Sequence, residues 1–334
     1  TKNNIRIDSY ITKESLDKGY NDMSKAYTKI FKRMGLNTVS VKADSETDIT
    51  NYETLEKFFT SKETELYPKY HNQPSLDADG GKIKWIINCA AYTNVDKAEE
   101  DAEKAEKLNS RGPENLARLA RSHNAKLIHI STDYVFDGTA TSPIPETAKK
   151  NPTGIYGKTK SDGEDAIMKS MTQYYILRTA WLYGFDGKNF VYTMTKLFNS
   201  HEKIKVVSDQ YGTPTFCRDL ADAVIRIILR TMKAKSFFGR NSIPAFGIYN
   251  FTNEGKTDWY SFAKTIYEME KKSGITTAEC EITPCTTEEY GAPAKRPAYS
   301  VLDKTKIQKE LKIKIPDWKQ SLETFLKNKN FEPR

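Results

Sequence analysis

The chain has 334 residues, a formal net charge of +8, 38% hydrophobic and 29% charged residues. That balance excludes a disordered chain, which lacks the apolar surface to offset ordering entropy, and the length accommodates a large domain with a smaller companion. No apolar run approaches the roughly 18 residues of a membrane span and the polar opening from Thr1 to Arg6 does not read as a secretory signal, so a cytoplasmic protein without a membrane partner is expected. The lysines are spread over helical faces with no zinc-finger or RNA-stacking signature, which argues against nucleic acid. Cys89, Cys217, Cys280 and Cys285 lack the spacing of a zinc site, so they read as ordinary thiols and no metal ligand is assigned.

In chain order, short β-rich runs at residues 4–7, 38–42, 85–89, 126–131 and 174–178 alternate with amphipathic stretches at 24–34, 98–109 and 113–122. This alternation predicts an α/β fold, a Rossmann-like doubly wound parallel sheet with helical crossovers. Pro113 suits the first turn of the third helix, with Leu116 and Leu119 on its apolar side. Residues 60–81 are polar and Lys/Glu/Asp/Gly-rich, predicting a surface insertion. Past Gly184 the alternation fades into a helix at 190–200, a strand at 205–208, a helix at 220–232, a strand at 247–252, a helix at 259–272 and two short helices within 305–326. The predicted organisation is a Rossmann-like domain over 1–184 to which 217–250 return, with a smaller lobe built from 185–216 and 251–334. The end, 327–334, is expected to fray.

The densest cluster of chemistry is Ser131-Thr-Asp-Tyr-Val-Phe136 at a strand end, followed by Tyr156-Gly-Lys-Thr-Lys160 at a helix start. Open α/β sheets bind ligands at the carboxyl ends of their strands. Tyr156 and Lys160 are four residues apart, hence on one helical face, where an ammonium would favour the ionised phenol and poise it for acid–base work. Thr132 could hydrogen-bond the same carbonyl oxygen as hydride arrives at carbon. Tyr-x-x-x-Lys alone is common on helices; the strand-end Thr132, 24 residues before Tyr156, makes the set specific for carbonyl reduction.

Several ordered blocks carry a family resemblance: Ile87-Asn-Cys-Ala-Ala-Tyr-Thr-Asn-Val-Asp-Lys-Ala-Glu99, Asn109 with Gly112-Pro-Glu-Asn-Leu-Ala117, His129-Ile-Ser-Thr-Asp-Tyr-Val-Phe-Asp-Gly138, Tyr156 to Lys160 with Gly163-Glu164, Arg178-Thr-Ala-Trp-Leu-Tyr-Gly184, Val207-Ser-Asp-Gln-Tyr-Gly-Thr-Pro-Thr215, and Arg296-Pro-Ala-Tyr-Ser-Val-Leu-Asp303. Over roughly residues 85 to 326 the chain resembles the dTDP-4-dehydrorhamnose reductases, extended short-chain dehydrogenase/reductases. The resemblance implies reduction of the C4 carbonyl of dTDP-4-dehydro-6-deoxy-L-mannose to dTDP-L-rhamnose, with Thr132, Tyr156 and Lys160 catalytic. It implies NADPH or NADH as cofactor, along Gly19, Asp48, Ile49, Ala90, Ala91, Tyr92, Thr93, Ser131, Tyr156 and Lys160. Tyr134, Trp181 and Arg296 are implied to contact the nucleotide-sugar substrate. Core packing for Trp181, a surface ion pair for Arg296 and a helix cap for Asp48 are the plainer alternatives. The family also implies a homodimer and Mg2+ as candidates, with no acidic ligands located.

The pattern departs from the family in its glycine-rich turn, where Gly19-Tyr-Asn-Asp-Met-Ser-Lys25 keeps only the first glycine. Asp22 would crowd and repel a diphosphate, whereas Lys25 could compensate electrostatically. Lys42 hints at a phosphate partner and Asp44 at a ribose. The departure supports a second reading, a non-catalytic regulatory or scaffold protein like the β subunit of methionine adenosyltransferase. An epimerase or dehydratase on another nucleotide sugar is the third.

Overall fold

Trp85, Ile86, Ile87 and Asn88 form a strand in which every side chain is buried, the pattern of a sheet covered on both faces. In the structure, a computed structural model describing residues 6–11, 37–42, 48–70, 83–185, 188–233 and 243–328, this strand lies inside a six-stranded sheet. The strand order is Gly247–Asn250, Tyr174–Thr179, Lys126–Thr132, Trp85–Asn88, Arg6–Ile11, Asn37–Lys42. Arg6–Ile11 runs parallel to both of its neighbours, and Trp85–Asn88 parallel to Lys126–Thr132. The chain leaves the first strand in one direction and returns to its other side, creating the topological switch beside which nucleotides bind in such sheets.

The chain divides into two compact units, Thr1–Ser131 with Lys158–Leu177 and Phe246–Ile248, and Thr132–Gly157 with Arg178–Ala245 and Tyr249–Arg334. This division differs from the expected boundary at residue 184. Helix Cys217–Lys233, expected to return to the first domain, belongs to the second unit because it packs on strand Thr215–Phe216 and helix Thr305–Leu311.

In the first unit, residues 60–70 of the stretch expected as an insertion over 60–81 form the second part of helix Tyr52–Tyr70, and 71–81 lie outside the described residues. Asn51 caps that helix by accepting the Thr54 N–H at 3.2 Å, and the Glu, Lys and Leu content favours propagation. The stretch expected as one helix at 98–109 breaks into Val95–Ala98 and Ala102–Glu106, then a π-helical turn, Lys107–Arg111, that leads into Gly112–Ser122. That turn carries Asn109 inward, where it is fully buried. Helix Gly112–Ser122 begins on Pro113 and buries Leu116, Ala117, Leu119 and Ala120, as its sequence predicts.

The second unit has an aromatic core in which Tyr183 stacks on Phe216 at 5.6 Å and meets Phe325 edge-on at 5.2 Å, while Phe262 meets Trp318 edge-on at 5.5 Å. Such pairs contribute about 1 kcal/mol each beyond burial. Helices Phe190–Phe198 and Trp259–Ser273 pack together, and buried Glu270 of the second accepts from Thr195 of the first at 2.5 Å and from Thr276 at 2.6 Å. The two short helices near the end are Thr305–Leu311 and Trp318–Leu326. Among the described residues no helix is long and apolar enough to cross a membrane.

Candidate active site

In the first unit, the carboxyl ends of strands Trp85–Asn88 and Lys126–Thr132 meet helix Ile155–Ser170 around the side chain of Lys160. Lys160 is buried, its Nζ donating to the carbonyl oxygen of Ile130 at 2.7 Å and lying 3.2 Å from Nε2 of His129. Burial pushes the ammonium down to about 8, opposed by the negative charge of Glu164 and, more weakly, by Cys89. Glu164 is anchored by Ser131 Oγ, which donates to it at 2.6 Å. His129 is held well below its ordinary value by burial and by Lys160, so its ring is neutral. Cys89 is pushed up to about 12 by burial and remains a thiol; all four cysteines are free.

The loop after strand Trp85–Asn88 is small and fixed. Ala90 and Ala91 are buried, and Asn88 Oδ1 accepts the Ala90 N–H at 3.0 Å. Asn109 clamps Tyr92 from both sides, accepting its N–H at 2.8 Å and donating to its carbonyl at 3.0 Å, with a further bond to Thr159 at 3.2 Å. The Tyr92 phenol is engaged by Asp101 at 2.8 Å, and Thr93 is half-buried. A rigid wall of small side chains at a strand's carboxyl end fits the flat ring of a nicotinamide, and Lys160 supplies a donor suited to ribose hydroxyls.

In the second unit, Thr132 ends its strand and Tyr156 opens its helix, and the two side chains share a hydrogen bond. Burial pushes the Tyr156 phenol up to about 12; the Thr132 bond opposes this and the Asp133 charge adds to it. That reverses the expected downward shift: desolvation wins, and the phenol is protonated at neutral pH. Thr132 Oγ1 also donates to Asp133 Oδ1 at 3.0 Å and accepts the Tyr134 N–H at 3.3 Å. Asp133 is buried, and burial pushes its carboxyl up to about 6 against the pull of nearby hydroxyls and amides. The Ser300 hydroxyl favours the carboxylate electrostatically but donates to the Tyr211 carbonyl at 3.4 Å, so Asp133 Oδ2 has no hydrogen bond. The ring of Tyr134 meets that of Tyr156 edge-on at 5.3 Å.

Trp181 is half-buried with φ +49°, a left-handed conformation that costs an aromatic residue about 1–2 kcal/mol. Its ring stacks on Trp259 at 3.6 Å and 14°, and it closes on Gly212, where a Cβ would lie 2.6 Å from the indole. The plain packing role weighed for Trp181 is thus present in the stacking on Trp259. Arg296 is half-buried and bonds the Ala294 carbonyl at 3.3 Å.

The structure brings Thr132, Tyr134 and Tyr156 into mutual contact, and groups Lys160, Ser131, Ala90 and Ala91 around the two strand ends. Asp48 does not cap the following helix: its Oδ1 accepts the N–H and hydroxyl of Thr50, both at 2.8 Å, leaving the cap to Asn51. Ile49 is fully buried and its carbonyl accepts from Asn115 at 2.9 Å. Gly19, Asp22, Lys25 and Asp44, together with the helix expected at 24–34, lie outside the described residues. Among the described residues no group of three acidic, cysteine or histidine side chains could hold a metal, so the Mg2+ expectation finds no ligands here. Asn88, Asn109, His129, Asp133 and Trp259 were not singled out by sequence; polar residues within apolar runs, as at Asn88 and His129, were the available signal.

The family model described as RmlD substrate binding domain matches residues 19–331. The dTDP-4-dehydrorhamnose reductase of Aggregatibacter actinomycetemcomitans is 38% identical over 247 residues, 74% of this chain and 82% of that protein. A solved dTDP-4-dehydrorhamnose reductase from Clostridium acetobutylicum aligns with a TM-score of 0.79 at 37% identity, covering 96% of this chain and 98% of that one. The enzyme of the same name from Bacillus anthracis, solved in complex with NADP, aligns with a TM-score of 0.79 at 29% identity, covering 97% and 99%.

Proposed function

Because this chain belongs to the RmlD substrate binding domain family, we propose that it is a nicotinamide-dependent reductase converting dTDP-4-dehydro-6-deoxy-L-mannose to dTDP-L-rhamnose. The observation that carries the reading is the hydrogen-bonded Thr132–Tyr156 pair at a strand's carboxyl end. The cofactor, when bound, supplies hydride to C4. Tyr156, protonated at neutral pH, gives its proton to the C4 oxygen, while the Thr132 hydroxyl stabilises the charge that gathers there. Lys160 favours the resulting phenolate whenever it carries a charge.

The Ala90–Thr93 loop and Ser131 line the nicotinamide side of the cofactor, with Asp48 and Ile49 toward the adenine. The NADP bound by the Bacillus anthracis relative favours NADPH over NADH. Tyr134 and the outer face of Trp181 contact the sugar, and the Arg296 guanidinium suits the diphosphate through paired hydrogen bonds.

The test is consumption of NADPH with dTDP-4-dehydro-6-deoxy-L-mannose, followed by absorbance and by product identity. Tyr156→Phe should lower kcat by at least about 100-fold in a variant that still binds NADPH. Undiminished turnover in that variant would remove Tyr156 from the mechanism, and failure of the wild-type chain to bind either nucleotide at millimolar concentration would remove the reductase reading altogether.

A further inference from the structure

The hydrogen bonds around His129 permit one assignment of protons. The Ala90 N–H can only donate, and it donates to Asn88 Oδ1, which fixes the Asn88 amide with its Nδ2 toward the imidazole. That Nδ2 can only donate, and it lies 2.9 Å from His129 Nδ1. Nδ1 is therefore the acceptor nitrogen of a neutral ring, and the proton sits on Nε2. Nε2–H points at Lys160 Nζ, 3.2 Å away. An ammonium has three donors and no acceptor, so it would meet this N–H donor to donor; a free amine has a lone pair to receive it and an N–H left for the Ile130 carbonyl at 2.7 Å.

We propose that Asn88 locks His129 of the cofactor-free protein as its Nε2–H tautomer, and that this N–H, facing Lys160, favours the lysine's neutral amine over its ammonium. Asn88 and His129 are positioning residues that set the charge of the lysine and touch no substrate. Burial drives Lys160 in the same direction, its ammonium being pushed down to about 8. The titratable groups facing it are Glu164 on its own helix, Cys89 beyond the neighbouring strand and His129 on the next. Glu164 and then Cys89 favour the charged lysine, and Glu164 already accepts from Ser131. As a statement about activity this deepens the reductase reading; as a statement about protons it stands apart from it.

The chain has four histidines, so long-range proton–nitrogen correlation spectra of the nitrogen-labelled protein resolve each imidazole, and His129→Gln identifies the pair of signals in question. The expected result is a neutral ring that keeps its Nε2–H tautomer between about pH 6 and 9. Carbon-labelled lysine should show one resonance, lost in Lys160→Met, that titrates at or below about pH 8. Asn88→Asp keeps the bond to Ala90 but offers an acceptor to Nδ1; it should move the imidazole proton to Nδ1, free Nε2 to accept from an ammonium, and raise the Lys160 titration by at least a unit. An Nδ1–H or imidazolium signal in the wild-type protein, or a Lys160 that titrates with the surface lysines, overturns the proposal. Neither readout requires turnover, so loss of the reductase reading would leave both results interpretable.

Discussion

Lys160→Met separates what the buried lysine does for stability from what it does for chemistry. The ammonium falls from 10.5 to about 8 on folding, a difference worth about 3 kcal/mol of disfavoured charge at about 1.4 kcal/mol per unit. Below about pH 8 both folded and unfolded chains carry the proton, and the whole penalty is felt. Between about 8 and 10.5 the unfolded chain binds more protons than the folded one, so stability rises with pH across that window and levels off above it. Methionine removes the penalty but strands His129 Nε2 and the Ile130 carbonyl, each costing about 1–3 kcal/mol when buried without a partner. At neutral pH the two effects nearly cancel, and the variant's stability should lie within about 2 kcal/mol of wild type. The decisive quantity is the change with pH: in urea unfolding from pH 7.5 to 10.5, wild type should gain about 3 kcal/mol on Lys160→Met. Parallel curves, or a wild type that loses ground as pH rises, would refute a depressed, buried lysine.

Three further outcomes follow from packing and charge. Gly157→Ala places a Cβ 2.1 Å from the Tyr134 carbonyl oxygen, so backbone must move beside Tyr156; a loss of about 1–3 kcal/mol in thermal unfolding, with a fall in kcat, is expected. Gly212→Ala drives a Cβ to within 2.6 Å of the Trp181 indole and 2.9 Å of Ser300 Oγ, and should raise KM for the nucleotide sugar more than it lowers kcat, as a steady-state titration would show. Burial raises the Glu270 carboxyl, against the hydrogen bonds from Thr195 and Thr276. Its folded value exceeds the unfolded one, so its contribution is complete below about 4.5 and is lost as pH rises through the folded value. Glu270→Gln, which keeps both threonine contacts with a neutral group, should therefore melt higher than wild type at pH 7 and gain nothing at pH 4.

Periodicity made the alternating elements legible because a strand buried on both faces, such as Trp85–Asn88, must be apolar throughout, and a helix lying on it, such as Gly112–Ser122, must be apolar on one side. It expected a boundary at residue 184 and gave no local sign of where Cys217–Lys233 packs, because nothing in a helix's own sequence distinguishes packing on the sheet from packing on strand Thr215–Phe216 and helix Thr305–Leu311. The polar run at 60–70 misled for the opposite reason: a solvated helix and a surface loop share a composition, and the deciding residue was the Asn51 cap. For the candidate site, Thr132 and Tyr156 stood out because their chemistry and spacing are unusual together; the sequence expected each to reach a carbonyl oxygen, and the structure sets the Thr132 hydroxyl against the Tyr156 phenol.

The sign of the Tyr156 shift was not recoverable, and the reason bears on the lysine as well. A sequence shows that an amine and a phenol share a helical face; it does not show how much water either retains or which neighbours consume its hydrogen bonds. Desolvation then decides both groups, moving the phenol up to about 12 and the ammonium down to about 8. Each shift favours the neutral form, so the cofactor-free pair holds protonated phenol and, increasingly as pH rises, free amine. Asn88 enters the chemistry only through this closure of donors and acceptors: an asparagine two residues before Ala90, facing a strand histidine 41 positions away, fixes a tautomer that no spacing rule could have assigned.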